Sequence, residues 1–413
     1  MNMNIIEIAN KIKENGGNLY LVGGAVRDKL LGIESKDKDY CVTGLSKENF
    51  QELFPESFEN GKAFPVFRIE QTEFALARRE LKTGIGHKEF SFDTENVNII
   101  EDLARRDITI NSMAEEVLTK ELIDPFGGQE DLKNKIIRAT TNAFKEDPLR
   151  VYRVARFAST YDFIIEENTI NLMNELKKEL NTLSAERVFG ELKKALGTKK
   201  PSLFFENLKK ANVLEIHFKE IFDLIGAEQP EQFHPEGHAY NHTMIVVDKA
   251  AEFTDNVEVR FAALVHDFGK GITPKEKYPH HYGHDEAGVE LVKRLGKRIC
   301  LPTSYIKCGI TAAKEHMRAG KFFEMKASTK VELIERVSKT ILGLDGLQVV
   351  VNADRSDRKT YDFSEIGNRM LKEIDGKYIE EKYKIKPGIE LGKILHNERV
   401  KWMKNIDNKE EKI

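Results

Sequence analysis

Asp37 and Asp39 stand two positions apart in the stretch ESKDKDYCVTG, and a strand running through them places both carboxylates on one face. Like charges side by side make poor core, because burial is costly, but they form an oxygen-only bracket for Mg²⁺. Just upstream, Tyr20 to Val22 is a short apolar run ending in Gly23 and Gly24, and Ala25 to Leu31 has helical spacing closed by Gly32. Two residues without side chains at a helix start let phosphate oxygens reach backbone N–H groups and the positive end of the dipole. Arg27 on the first turn faces the same place. A glycine turn for a triphosphate, beside a carboxylate pair for two metals, is the equipment of in-line nucleotidyl transfer.

A second constellation is histidine-rich. Seven of the eleven histidines lie between His234 and His284, in HPEGHAYNHT, RFAALVHDFGKG and HHYGHDEAG, with KEH and VNADRSD following. His266 and Asp267 are read as neighbours within an otherwise apolar helix, where an unpaired aspartate is expensive to bury and a metal offsets the cost. Nitrogen and oxygen donors of this kind suit Ni²⁺, Mn²⁺, Mg²⁺ or Co²⁺ rather than a structural cysteine–zinc site. Between these constellations, EDPLRVYRVARF carries Arg150, Arg153 and Arg156 at i, i+3 and i+6, with Val151, Val154, Ala155 and Phe157 filling the other face. Pro148 is accommodated at that helix's start, with Glu146 and Asp147 at the favourable end of its dipole.

These residues need elements to position them. Residues 1–19 read as one amphipathic helix, and the chain up to Phe126 mixes strands and helices. FPVFRIE and TEFALARRE are strand candidates expected to pair with the aspartate strand, and a second helix is expected near Asn111. Lys82 to Asn96 is polar and weakly patterned, either a mobile loop beside an active site or a mere connection. Gly84 and Gly86, the nearest glycine pair elsewhere, precede no helix pattern. LSAERVFGELKKALG has Ser184 as a helix cap and an apolar stripe of Val188, Leu192 and Leu196, with Lys193, Lys194, Lys199 and Lys200 nearby, either cations for phosphates or plain exposed lysines. Beyond Asp357 the chain reads as helical, broken at Lys386-Pro387-Gly388.

Composition sets bounds. The 413 residues suffice for two to four compact units, and 40% hydrophobic with 32% charged content is that of an ordered, mostly helical protein. A net charge of −3 lacks the global basic signature of a nucleic-acid binder, so phosphate recognition must be local. Cys41, Cys300 and Cys308 show no CxxC spacing, which argues against a disulfide framework and for a reducing compartment. No segment reaches the length of a membrane span and no leader is evident, so the expectation is a cytoplasmic protein.

GGAVRDKLLG followed by DKD resembles the signature of the polymerase-β-type nucleotidyltransferases of class II, the tRNA CCA-adding enzymes and bacterial poly(A) polymerases. The resemblance implies an α+β protein: a polymerase-β-like head of mixed sheet and helices, then an all-α neck, an HD domain and a helical tail. The expected limits are 1–139, 140–226, 227–345 and 346–413. It implies that Asp37 and Asp39 hold Mg²⁺, with Glu73 as the third acidic position, and that Gly24 and Arg27 meet the nucleotide. LARRDITINS is similar to the family's RRDxTINA motif, which assigns Arg106 to the triphosphate and Asp107 to the sugar. EDPLR is similar to its EDxxR motif, thought to be a protein template for the base, which assigns Asp147 and Arg150 to base reading and Arg153 and Arg156 to phosphate or ribose.

The histidine set resembles the HD superfamily of phosphohydrolases, whose pattern falls on His242, His266, Asp267 and Asp354, with His284 and His316 as further ligands and Lys270 near a phosphate. The whole resembles class II tRNA CCA-adding nucleotidyltransferases with a C-terminal HD domain. That implies tRNA, CTP and ATP as partners, a monomer or homodimer, and 2′-nucleotidase, 2′,3′-cyclic phosphodiesterase and phosphatase activity in the HD region. The rivals are a poly(A) polymerase, a CC-only or A-only adding enzyme, a non-catalytic HD scaffold, and an HD hydrolase carrying the head as a binding module.

Overall fold

The computed structural model describes residues 3–35, 37–60, 66–82, 90–94, 96–232, 234–355 and 362–410. The chain divides into two compact units. Met1–Arg187 with Leu203–Ile216 make the first, and Val188–Ser202 with His217–Ile413 make the second. The fold class is the expected α+β, a mixed sheet followed by helices.

The first unit is built on a seven-stranded sheet of order β3-β4-β5-β2-β1-β8-β9. Its strands are β1 (Asn18–Val22), β2 (Asp39–Thr43), β3 (Phe58–Asn60), β4 (Val66–Ile69), β5 (Thr72–Leu76), β8 (Ala114–Glu116) and β9 (Leu122–Ile123), while β6 (Arg79–Lys82) and β7 (Phe90–Asp93) pair apart from it. The pairing of β2 with β5 is parallel and the others in the sheet are antiparallel. Helix α1 (Ile5–Glu14) opens with a capping box of Asn4 and Glu7 and lays Ile8, Ala9 and Ile12 into the core. That core is aromatic: Phe50 of α3 (Lys47–Leu53), Phe54, Phe67 and Phe74 are fully buried, and Phe50 stacks on Phe67 with centroids 4.6 Å apart. Helices α2 (Gly24–Leu30) and α4 (Ile99–Ala104) belong to this unit, as do α5 (Gly128–Asn134), α6 (Arg150–Tyr161) and α7 (Glu167–Glu175) and nearly all of α9 (Ser202–Lys210), while the chain passes to the second unit within α8 (Ala185–Leu196) and α10 (Lys219–Phe222) lies in that unit.

The second unit is helical. Helices α11 (Ala239–Phe253), α12 (Val257–Val265), α13 (His284–Arg298), α14 (Thr303–Ala319), α15 (Ala327–Val337) and α16 (Gly343–Asp354) pack on one another. Small residues at the crossings, Ala250, Ala262, Ala263 and Ala312, let the backbones approach, and Val246, Leu347 and Val350 fill the space between. Helices α17 (Phe363–Glu373), α18 (Gly376–Tyr383) and α19 (Ile389–Glu410) complete it.

Several local expectations are corrected. Strand β4 joins β5 through a two-residue turn at Glu70 and Gln71, so β4 pairs with β3 and β5 and only β5 reaches the aspartate strand. TEFALARRE is two strands: β5 ends at Leu76, and Arg79 begins β6, which pairs with β7. Within the segment from Lys82 to Asn96, Phe90–Asp93 is strand β7, paired antiparallel with β6, and residues 83–89 and 95 lie outside the described residues. Gly84 and Gly86 lie outside the described residues. Strand β2 starts at Asp39, and Asp37 precedes it, its carbonyl accepting from the Ser35 hydroxyl at 2.7 Å.

No second helix forms at Asn111. Ser112 Oγ donates to the Ile108 carbonyl at 2.9 Å and Asn111 Nδ2 to Asp107 at 3.2 Å. These local bonds replace a helical ladder, leaving a single 3₁₀ turn over Thr109–Asn111 that feeds β8. His266 and Asp267 lie just past the end of α12, not within it. Among the described residues no helix is long and apolar enough to cross a membrane, and the three cysteines are free.

Candidate functional site

In the first unit, the turn between β1 and α2 has a left-handed glycine at Gly23, with φ +68°. A Cβ there would stand 2.7 Å from Nη1 of Arg106, and one on Gly24 would stand 3.3 Å from Nη2 of Arg27. Two guanidinium groups thus border a turn that has no side chain of its own. Arg27 is buried, bonded to Asn111 and to Asp28 at 2.7 Å, with its guanidinium over the Tyr161 ring at 4.8 Å. Arg106 bonds Asp102 at 3.1 Å and keeps a buried Nε without a partner. Asp102 also takes Arg105 at 2.7 Å, and Glu101 bonds Arg79 at 2.9 Å.

Beside the turn, Asp39 lies in parallel register with Glu73 on β5, and both are exposed. Asp37 is exposed too. Oxygen-only donors fit Mg²⁺ in kind, but among the described residues these three carboxylates do not gather within 4.8 Å of one another.

The arginines of α6 have unlike surroundings. Arg150 is buried, donating to the carbonyls of Ala143 and Arg105 at 2.6 Å each. Arg153 binds Asp107 through Nε at 2.8 Å and Nη2 at 2.7 Å. Arg156 lies over Phe157 at 4.0 Å. Burial alone raises the Asp107 carboxyl, but the charges of Arg153 and Arg150, with hydrogen bonds from Arg153 and Asn111, outweigh it and hold the group at about 2. Asp147 bonds Arg187 at 2.8 Å and the backbone of Leu149 at 3.0 Å.

The second unit gathers its donors more tightly. Donor atoms of His242, His266, Asp267 and Asp354 lie within 4.8 Å of one another, and so do those of Asp267, His284 and His316. Asp267 belongs to both sets. Its Oδ2 is 3.2 Å from His266 Nε2 and its Oδ1 is 3.3 and 3.4 Å from Nε2 of His284 and His316. Asp354 Oδ1 meets His242 Nε2 at 2.8 Å.

The backbone fixes these rings. Nδ1 of His266 bonds the Ala263 carbonyl at 2.7 Å, that of His284 the His281 carbonyl at 2.7 Å, and that of His316 the Ala312 carbonyl at 2.9 Å. A carbonyl only accepts, so each Nδ1 carries a proton and Nε2 is the ring atom turned toward the carboxylates, placed to act as a ligand. The Nε2 atoms of all three rings and Oδ1 of Asp267 are buried without a hydrogen-bond partner, while Asp267 Oδ2 has the Lys270 ammonium at 2.6 Å. Ligand atoms facing one another in a buried site call for a cation, and a nitrogen and oxygen donor set fits a divalent transition metal. The same carboxylates draw positive charge to this place: burial opposes charge on His266, yet Asp267 and Asp354 outweigh it and push the imidazole up to about 10, so a metal ion entering there competes with a proton on Nε2.

Lys270 is buried, 2.6 Å from Asp267 Oδ2 and 2.6 Å from Gln229 Oε1. Gly269 is required beneath it, because a Cβ would fall 1.9 Å from the His284 carbonyl.

Sequence reasoning missed several participants. Glu236 takes Nδ1 of His242 at 2.6 Å and of His234 at 3.1 Å, an acid inside the histidine-rich stretch that signalled it. Asn111, within TINS, joins Arg27 to Asp107. Nothing local signals Gln229 or Arg187.

Three family models match: the poly A polymerase head domain over residues 19–138, a probable RNA- and SrmB-binding site of polymerase A over 162–225, and the HD domain over 239–337. The multifunctional CCA protein of Shewanella denitrificans is 42% identical over 326 residues, 77% of this chain and 78% of that one. That of Nitrosococcus oceani is 45% identical over 325 residues, 77% and 79% of the two chains. Among solved structures, a Thermotoga maritima CCA-adding enzyme complexed with tRNA matches with a TM-score of 0.67 over 96% of this chain and 89% of that one. At 22% identity that likeness is one of fold.

Proposed function

This chain belongs to the multifunctional CCA protein family, a group of CCA-adding nucleotidyltransferases with an HD domain, and from that premise we propose that it builds and repairs the 3′-terminal CCA of tRNA from CTP and ATP, releasing pyrophosphate. Gly24, Arg27 and Arg106 take the triphosphate, and Arg153 and Arg156 its ribose side, with Asp107 holding Arg153 in place. Asp37 and Asp39, with Glu73 alongside, would hold Mg²⁺, which when bound lowers the pKa of the tRNA 3′-hydroxyl and neutralises the departing pyrophosphate. Asp147 and Arg150 select C or A. Since Arg150 is engaged by two carbonyls and Asp147 by Arg187, base reading requires those contacts to be exchanged for contacts to the base. Transfer RNA as the substrate also implies action in the cytoplasm.

The observation that carries this reading is Arg106 poised over Gly23 beside Arg27, two cations around a side-chain-free turn. Incubation with a tRNA lacking CCA and each labelled nucleotide singly and in pairs tests it. Addition that stops after CCA and disappears in Asp37→Ala supports it; long A tails would make the protein a poly(A) polymerase, and addition of only C or only A a partial enzyme.

The HD region is a second, metal-dependent phosphohydrolase centre, with 2′-nucleotidase, 2′,3′-cyclic phosphodiesterase and phosphatase activity. The two donor sets sharing Asp267 would hold two divalent ions such as Ni²⁺, Mn²⁺ or Co²⁺, which when bound supply Lewis acidity at a phosphate ester. The buried, partnerless Nε2 atoms and Asp267 Oδ1 support this. Phosphate release that needs such a metal, fails in Asp267→Ala and persists in Asp37→Ala is the expected result; no release under any metal would leave the region a scaffold.

A further inference from the structure

We infer that Tyr161 and Phe157 are positioning residues for nucleotide binding, an aromatic pair one helical turn apart that holds the Arg27 guanidinium in the orientation from which it meets the triphosphate. The inference rests on the role proposed for Arg27 and extends it to the side chains packed against that residue.

Both rings stand on α6, with planes 12° from parallel and centroids 6.3 Å apart. Spacing alone puts Phe157 on the apolar face, opposite Arg150, Arg153 and Arg156, where it would only fill core. Its ring nonetheless carries cations: the guanidinium of Arg156 lies 4.0 Å, that of Arg153 5.5 Å and that of Arg27 5.6 Å from its centroid. Three like charges gathered around one ring repel one another, and the negative faces of the ring offset part of that cost. Tyr161 takes Arg27 more closely, at 4.8 Å. The end of the helix fixes that ring. Asp162, left-handed at φ +56°, stops α6 directly after Tyr161, and buried Phe163 packs on Tyr161 with centroids 5.6 Å apart.

Arg27 donates through Nε and Nη2 to Asp28 at 3.0 and 2.7 Å, and through Nη1 to Asn111. Those bonds lie in the plane of the guanidinium, and a ring against one face keeps the group from tipping about them. Orientation matters here because Nη2 has a second N–H, and Nη2 stands 3.3 Å from where a Cβ of Gly24 would be. That donor borders the side-chain-free turn at which phosphate oxygens arrive. Burial raises the Tyr161 phenol above its ordinary value, so it keeps its proton, and its hydroxyl faces Asp28. Ring and hydroxyl thus act on the two members of one ion pair. An aliphatic side chain would fill the same space but present no negative face to a cation.

The test uses the full-length protein with Mg²⁺, first with CTP and a tRNA lacking CCA, then with ATP and the same tRNA ending in CC. In Tyr161→Leu, KM for CTP and KM for ATP are expected to rise by the same factor, about tenfold, because the triphosphate is common to both. Phe157→Leu moves both in the same direction. Inhibition by pyrophosphate, which has neither base nor ribose, weakens alongside, while KM for the tRNA stays. Tyr161→Phe keeps the ring and stays near the wild type. Phenylalanines with one, two or three ring fluorines in place of Tyr161 keep the shape and drain charge from the face, so KM climbs with each fluorine; a ring that only packs α6 gives no such trend. Unchanged KM in either leucine variant, a flat fluorine series, or an altered preference between CTP and ATP with pyrophosphate inhibition intact overturns the pair's role. Arg27→Ala separates that role from the reading beneath it. If both KM values stay where they were, Arg27 does not take the triphosphate and the reading fails; a rise that Tyr161→Leu does not share overturns the pair alone. If the wild-type protein incorporates neither nucleotide, the pair is judged by equilibrium binding of magnesium pyrophosphate, which must weaken in Tyr161→Leu for it to stand.

Discussion

The two candidate centres hold their side chains by opposite means. In the first unit side chains hold side chains: Arg27 bonds Asn111, Asn111 bonds Asp107, Asp107 bonds Arg153, and Asp147 bonds Arg187. In the HD region the backbone holds them, with carbonyls of Ala263, His281 and Ala312 fixing three imidazoles. The first arrangement is largely satisfied as it stands: Asp28, Asp102, Asp107 and Asp147 take Arg27, Arg106, Arg153 and Arg187, and of the nucleotide-facing arginines Arg106 keeps a buried Nε without a partner. The second is unsatisfied, with buried ligand atoms converging on Asp267. A network of mutual side-chain bonds can re-pair when a nucleotide enters, which suits a centre that must accept C and then A. A cluster fixed by its own backbone is set to one geometry and awaits an ion.

The largest consequence is thermal. Loading metal-stripped protein with Mn²⁺ at a thousandfold excess over its Kd is expected to stabilise the HD region by about 4 kcal/mol. Calorimetry with and without chelator measures the gain, which Asp37→Ala leaves intact and Asp267→Ala abolishes. A gain that survives Asp267→Ala would break the contrast, because the buried donors would then not be what the ion satisfies.

The first unit should instead be sensitive to loss of a carboxylate. Asp107 is buried and takes two bonds from Arg153, one from Asn111 and one from the Ile108 amide at 2.9 Å. Asp107→Ala leaves those donors stranded and is expected to cost about 3 kcal/mol in urea unfolding. A cost below that of an ordinary surface substitution would mean the network is not satisfied as drawn.

Acid probes the same group more gently. Its folded pKa of about 2 lies below the unfolded carboxylate value, so its contribution is fully present above pH 4 and is lost as pH falls through 2. The expected loss is roughly 2 kcal/mol over that window. Asp107→Asn should lack this limb of the stability profile. The reverse slope, or an identical limb in Asp107→Asn, would assign the acid sensitivity elsewhere.

What was legible in the sequence follows from how far each partner lies along the chain. The turn after Val22, the arginines of α6 and the His266-Asp267 pair stand in contiguous motifs whose residue types already conflict with burial, and that conflict is visible without coordinates. The fold class was legible for the same reason, since strand and helix periods alternate early and only the helical one persists. Strand order was not, because whether β4 or β5 meets the aspartate strand depends on a two-residue turn at Glu70 and Gln71. Nor could the sequence show that Arg150 is buried against two carbonyls while Arg153, one turn on, is not, because spacing puts them on one face and only packing separates them. Arg187 is forty residues from Asp147, and Gln229 forty-one from Lys270, with no pattern between them.

The smallest expected effect bears most directly on the contrast. If the first unit's side chains position one another, removing two members of the chain must cost something other than the sum of removing each. Asn111 links Arg27 to Asp107, and Arg153 closes the other side of Asp107. A double-mutant cycle of Asn111→Ala and Arg153→Ala, read from unfolding free energies, is expected to show a coupling of about 1 kcal/mol. Arg79→Ala, whose partners are Glu101 at 2.9 Å and Asp93 at 3.1 Å, should add to Asn111→Ala with no coupling beyond about 0.4 kcal/mol. Equal coupling in both cycles would mean that the strain spreads through the sheet rather than along the bonds, and the first centre would then be as rigid as the second.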